Sequence, residues 1–461
     1  MVFSSLLFMF IFLPVFFVIY YVSPKGIRNL VLLIASLIFY AWGEPIYIFI
    51  MLFSTVFDYI IGLFIHKFRE KRSVARIFLI TSVVVNLSLL GFFKYTDFFI
   101  SNINGIFGAS IGLLNIALPI GISFYTFQTM SYTIDLYRGK IGVQKNIISF
   151  GAYISMFPQL IAGPIVTYSH VEKEINQRTI SWDKFGEGTM RFIEGLGKKV
   201  LIANNIGLLW ENIKALPQSE LTLVGSWLGI MAFALQLYFD FSGYSDMAIG
   251  LGKMMGFQFP ENFNYPYISR SITEFWRRWH ITLGSWFREY VYIPLGGNRV
   301  GSIRLYMNLF VVWFLTGFWH GAGWNFIIWG LYFSVLLVLE KSFLIKLFER
   351  LPAFVSRIYL IVAVLISWVF FSLEKMDLIG QYLRTMFGWG GTALINNNTL
   401  YLILNYLVLF IIAVLFATPL MDRMKVKINR WVLYGFYMTV LFLSTAYLVD
   451  STFNPFLYFR F

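Results

Sequence analysis

The chain has 461 residues, of which 58% are hydrophobic and 13% charged, with a formal net charge of +13 and no cysteine. Soluble domains carry about 25% charged residues, so this composition excludes an ordinary soluble enzyme and points to a polytopic membrane protein. Without cysteine there are no disulfides, thiolate metal sites or cysteine nucleophiles, and the positive charge reads as basic cytoplasmic loops, with no call for nucleic acid.

In chain order, apolar runs fall at roughly 3–21, 29–42, 46–65, 77–93, 115–135, 147–168, 221–241, 305–319, 325–339, 357–373, 399–418 and 431–449. The run from Phe3 to Tyr21 has no basic flank or small-residue cleavage site, so it reads as a retained helix. The expectation is an all-α membrane protein of about 10–12 transmembrane helices, forming one domain over 1–461. Basic residues cluster between the runs. Lys25 and Arg28 form one group; Lys67, Arg69, Lys71, Arg72 and Arg76 stand against Glu70; Arg138, Lys140 and Lys145 follow; Arg423, Lys425, Lys427 and Arg430 stand against Asp422. Placing these loops in the cytoplasm puts both termini outside the cell membrane.

"MFPQLIAGPIV" carries Pro158 and Pro164 and predicts a broken helix. Two further stretches do not read as simple spans. Phe185 to Leu209 sets Arg191, Glu194, Lys198 and Lys199 among apolar residues. In 271–299, Phe275, Trp279, Leu283 and Trp286 fall on one helical face, with Arg277, Arg278, Thr282, Ser285 and Glu289 elsewhere. Such segments lie in the interface or dip inward as re-entrant helices.

"ALQLYFDFSGYSDMAIGLG" places Gln236, Asp240, Tyr244, Ser245 and Asp246 at the end of an apolar run. An Asp at mid-bilayer costs about 2.5–3.5 kcal/mol on insertion scales, so both carboxylates need partners, for which Arg277 and Arg278 are the candidates. Of the four histidines, His66 and His170 read as solvent-facing. His280 lies on the inward-dipping segment. His320, in "LTGFWHGAGWNFIIWG", sits sixteen residues past the cytoplasmic Arg304, about 24 Å along a helix. An ionisable residue at that depth marks a functional site, and Gly321–Ala322–Gly323 can break the helix or admit a substrate. Trp319, Trp324 and Asn325 flank it. The competing assignment is a neutral histidine satisfying a buried hydrogen bond.

At these residues the chain resembles a known family. "FWRRWHITLGSWFREYVYIPLGGNR", "FWHGAGWNFIIWG", "FDFSGYSDMAIGLG", "FPQLIAGPI" and the ending "FNPFLYFRF" are similar to motifs of the membrane-bound O-acyltransferases. The likeness is greatest to the bacterial branch that O-acetylates exported polysaccharides. The resemblance implies helices around a central tunnel, a catalytic histidine at His320 and a second family position at His280. It also implies tunnel contacts with substrate from Trp319, Trp324, Asn325, Gln236, Asp240, Tyr244, Asp246 and Arg278.

The residues suit that chemistry. A neutral imidazole can take a hydroxyl proton, and with no cysteine to carry the acyl group, direct transfer or a transient acyl-histidine remains. No bound cofactor or metal is called for; the donor is acetyl-CoA or another acyl thioester. The partners are the lipid bilayer, an extracytoplasmic esterase-like partner and a polysaccharide synthesis complex. D-alanyl transfer to teichoic acid, fed by a small cytoplasmic donor protein, and a transporter without chemistry are the alternatives. A transporter would show an inverted repeat, which the sequence lacks.

Overall fold

The computed structural model describes residues 1–161, 163–425 and 428–450. The ending "FNPFLYFRF", with Phe461, lies outside the described residues, as do Ala162 and Lys427. Every regular element among the described residues is helical.

Among the described residues, eight helices are long and apolar enough to cross a membrane, and a shorter apolar helix precedes them. We label them in chain order: α1 Phe8–Val22, α2 Ile48–Lys67, α3 Arg72–Phe107, α4 Leu223–Met254, α5 Ser302–His320, α6 Trp324–Phe348, α7 Ala353–Ser372, α8 Asn397–Phe416 and α9 Arg430–Asp450. The other apolar runs form shorter pieces. Run 29–42 gives Arg28–Ala41, and 115–135 yields Ile122–Arg138, which starts after Pro119 and a left-handed Gly121. Run 147–168 breaks at Met156 into Ile147–Ser155 and Phe157–Leu160, with Pro158 in the first turn of the second piece. These pieces have 14, 17, 9 and 4 residues, short of the roughly 20 that span a bilayer. In runs 115–135 and 147–168, hydropathy alone merges the helices with their apolar flanks.

The chain divides into two compact units. The first comprises 1–192 and 244–260. It contains a buried polar knot in which Asp58 of α2 accepts hydrogen bonds from Ser82 (2.6 Å) and Asn86 (2.7 Å) of α3. Thr129 Oγ1 donates to Asn86 at 3.2 Å, so the carboxylate is satisfied within the helix bundle.

The second unit comprises 193–243 and 261–461. Its tightest helix pair is α5 with α6, brought together by glycines. A Cβ on Gly317 would stand 2.3 Å from the Phe326 carbonyl oxygen, and one on Gly330 2.3 Å from that of Trp313. Small residues at a membrane-helix contact let backbones approach in this way. Gly317→Ala is therefore expected to destabilise the pair by about 1–3 kcal/mol, the usual penalty for overpacking. A lowered thermal midpoint of the detergent-solubilised protein would register it. Since Gly317 lies one turn before His320, the same contact sets where that histidine ends up.

Candidate active site

The segment around His280 is built from both ends. Glu340, buried in the π-helical turn Glu340–Leu344 within α6, caps the helix Ile272–Arg278. Its carboxylate accepts from the backbone N–H of Ile272 (2.5 Å) and Thr273 (2.9 Å) and from the Thr273 hydroxyl (2.7 Å). The Ser271 hydroxyl accepts from the N–H of Glu274 at 3.0 Å. The helix stops at Trp279, and a second one, Ile281–Phe287, begins after His280. His280 itself is left-handed, φ 45° and ψ 53°, an uncommon state for a residue with a Cβ. A strap from 262–264 holds the break. Asn264 N–H donates to the Arg278 carbonyl at 2.9 Å, and Ile281 N–H to the Asn262 carbonyl at 3.0 Å. Asn262 Oδ1 also accepts from Thr282 N–H (3.2 Å) and Oγ1 (2.9 Å) and lies 3.2 Å from His280 Nδ1.

The single helical face predicted for Phe275, Trp279, Leu283 and Trp286 is thus corrected to two short helices. All four side chains are nonetheless buried, and Trp276 is half-buried with its ring 4.7 Å from that of Trp313.

His320 is the last residue of α5 and only 5% exposed. Gly321 and Gly323 are extended and α6 begins at Trp324, so the small-residue run does break the helix. Aromatic rings wall the imidazole: Trp329 at 5.0 Å, Trp319 at 5.1 Å and Phe371 at 5.2 Å between ring centres. A narrow gap with room for about one water lies beside it, lined by Leu237, Phe241, Trp279, Trp329, Trp368 and Phe371. His280 reaches the same wall, its ring 4.7 Å from Phe241 and 6.1 Å from Trp319. The two histidines, forty residues apart in sequence, therefore share Phe241 and Trp319 as neighbours.

The other candidates scatter. Gln236 is buried against Gly207. Asn325 donates to the Phe370 (3.1 Å) and Leu373 (3.3 Å) carbonyls, closing the end of α7. Trp324 is 54% exposed. Tyr244 and Asp246 belong to the first unit, where Tyr244 stacks on Phe3 with ring centres 4.4 Å apart. The expected pairing of Arg277 or Arg278 with Asp240 or Asp246 does not form. Arg278 pairs with Glu274 of its own helix at 3.0 Å, and Arg277 is exposed. The carboxylates are matched from the 185–209 stretch: Lys199 Nζ to Asp240 at 2.6 Å, and Arg191 to Asp246 at 2.7 Å. That stretch lies within a continuous helical run, Trp182–Lys214, with a π turn at Lys198–Ala203. Neither Asn262 nor Glu340 stands out in the sequence, and Lys199 does so without its partner. Asn262 lies in a loop with no periodicity to mark it, and Glu340 follows an apolar helix as if it were an ordinary cytoplasmic end.

The family model described as MBOAT, membrane-bound O-acyltransferase family, matches residues 141–379, which hold both buried histidines. A probable alginate O-acetylase of Azotobacter vinelandii is 43% identical over 443 residues, covering 93% of this chain and 88% of its own. The chain belongs to the membrane-bound O-acyltransferase family. A probable alginate O-acetylase of Pseudomonas aeruginosa is 47% identical over 395 residues, covering 85% of this chain and 75% of its own. A peptidoglycan O-acetyltransferase of Helicobacter pylori is 36% identical over 429 residues, covering 86% and 81%. This membrane-bound O-acyltransferase is accordingly an enzyme and a multi-pass membrane protein.

Proposed function

We propose that the protein moves an acetyl group from a cytoplasmic thioester to hydroxyls of an exported or cell-wall polysaccharide. Delivery is direct or through an extracytoplasmic esterase-like partner in a polysaccharide synthesis complex. The reading is supported above all by two buried histidines on one aromatic wall, in a chain whose relatives carry O-acetylating names. In the proposed reaction His320 is the base. It takes the proton of the acceptor hydroxyl, whose oxygen bonds to the thioester carbonyl carbon; the C–S bond breaks and the leaving thiolate takes up the proton. His280 acts beside it on the thioester or the acceptor. Both histidines are held where water is scarce, which suppresses hydrolysis of the donor. The whole chain acts as one acyltransferase domain around a tunnel across the cell membrane.

The test is ester formation by membranes supplied with acetyl-CoA and polysaccharide. Acetyl ester should accumulate on the polymer. Transfer that requires a D-alanyl-charged carrier protein and ignores acetyl-CoA would replace this reading with teichoic acid D-alanylation. Polymer export without ester, indifferent to His320, would replace it with transport.

The orientation that goes with this reading puts residues 66–76 and 137–146 in the cytoplasm and both termini outside. The native chain has no cysteine, so a single Arg72→Cys substitution gives a clean probe. It should stay unlabelled by an impermeant thiol reagent in intact cells and label once they are permeabilised. A cysteine in place of Phe461 should behave in the opposite way.

A further inference from the structure

We infer that Asn262 is a positioning residue that fixes the ring tautomer of His280, leaving Nε2 as its proton-accepting nitrogen. The inference rests on the acyl-transfer reading of His280. A backbone N–H can only donate, so the Asn262 atom 3.2 Å from Thr282 N is the amide oxygen. The Thr282 hydroxyl, 2.9 Å from the same atom, agrees with this. An oxygen that accepts from Thr282 must also accept from His280 Nδ1, 3.2 Å away, so Nδ1 carries the hydrogen. In a neutral imidazole the lone pair then lies on Nε2. That nitrogen has no hydrogen-bond partner among the described residues, and the ring is 1% exposed. A buried acceptor of this kind is an open valence for a reactant's proton.

The arrangement also explains the backbone. Holding His280 left-handed opposes its own preference. The strap from Asn262 and Asn264 compensates with two backbone hydrogen bonds, and the Asn262 side chain adds the contacts to Thr282 and His280. The amide nitrogen of Asn262 has no partner among the described residues either, and there the side chain works through its oxygen. Phe241, Phe263 and Trp319 face the imidazole as uncharged rings. The titratable residues that adjoin these contacts in sequence are Asp240, already matched by Lys199, then Glu261 and His320; Glu274, Arg277 and Arg278 lie on the preceding helix.

Asn262→Asp and Asn262→Leu test this in the full-length protein. Asp keeps an oxygen for Thr282 and for Nδ1 but adds a negative charge beside the imidazole. Leu keeps the size and removes the oxygen. Membrane vesicles containing each variant, wild type and His280→Ala are supplied with radiolabelled acetyl-CoA, and ester label is measured against pH at matched protein levels. A negative charge favours the imidazolium, so in the Asp variant the loss of activity on acidification should begin about one pH unit or more higher, with activity recovering at alkaline pH. The Leu variant should lose about 10–100-fold at every pH, as partners that orient a working histidine do when removed. A merely structural Asn262 predicts an Asp variant with the wild-type pH profile. That result, with His280→Ala inactive, overturns the tautomer assignment and leaves the acyl-transfer reading standing. Full activity in His280→Ala overturns the role of His280, and this inference with it. If the Leu variant is missing from the membrane, the Asp profile still decides.

Discussion

His320→Ala should abolish ester transfer while leaving the protein in the membrane. The substitution removes an imidazole from a ring-lined site without introducing a charge or a new polar group, so insertion and topology have no reason to change. Trp329 and Phe371 keep their packing on each other, although the emptied volume lowers stability somewhat. The rate falls for a separate reason. Without a base the acceptor hydroxyl must attack with its proton still attached, which costs about 10²–10⁴-fold. The measurement is ester content of the polysaccharide in cells carrying the variant at wild-type membrane levels. Normal esterification would remove His320 from the mechanism. Loss of ester together with loss of the protein would mean that the imidazole serves packing, and the rate of surviving protein in isolated membranes would separate the two effects.

How far the site could be read from the sequence depended on what kind of force placed each residue. Local chemistry was legible. The break after His320 follows from two extended glycines flanking one alanine, and the break near Pro158 from a residue that cannot continue a helix. The unbroken helix that runs from Ser302 to His320 was legible from its apolar run. The break at His280 was not legible, because Trp279 and His280 are neither glycine nor proline. It is imposed from outside, by backbone and side-chain bonds reaching across 18 residues from Asn262. The charge partners escaped for the same reason. Arg277 and Arg278 were the expected partners of Asp240, yet Lys199 reaches it from a π turn 41 residues upstream, and nothing in a one-dimensional pattern marks a π turn. Hydropathy, for its part, records apolar surface. It does not record whether a helix continues long enough to cross.

The Lys199–Asp240 pair carries the second large expected effect. Their side chains are 2% and 3% exposed, so both charges are out of water and each offsets the desolvation of the other. Lys199→Met takes a buried countercharge away from the Asp240 carboxylate, and the expected loss is about 3–5 kcal/mol of stability. This would appear as a sharply lowered thermal midpoint or as failure to accumulate in the membrane. Replacing both members, Lys199→Met with Asp240→Leu, should recover most of that loss, since an apolar pair of similar volume has no desolvation penalty to offset. A small effect of the single change would show that the carboxylate is solvated or otherwise matched. The double variant also separates stability from function. Asp240 precedes Phe241, whose ring faces both His280 and the gap beside His320. The ion pair therefore helps fix the α4 register on which the shared wall depends. A double variant that is stable but transfers acetyl poorly would show that the pair sets the position of Phe241. A stable and fully active one would confine its role to neutralising charge inside the bundle.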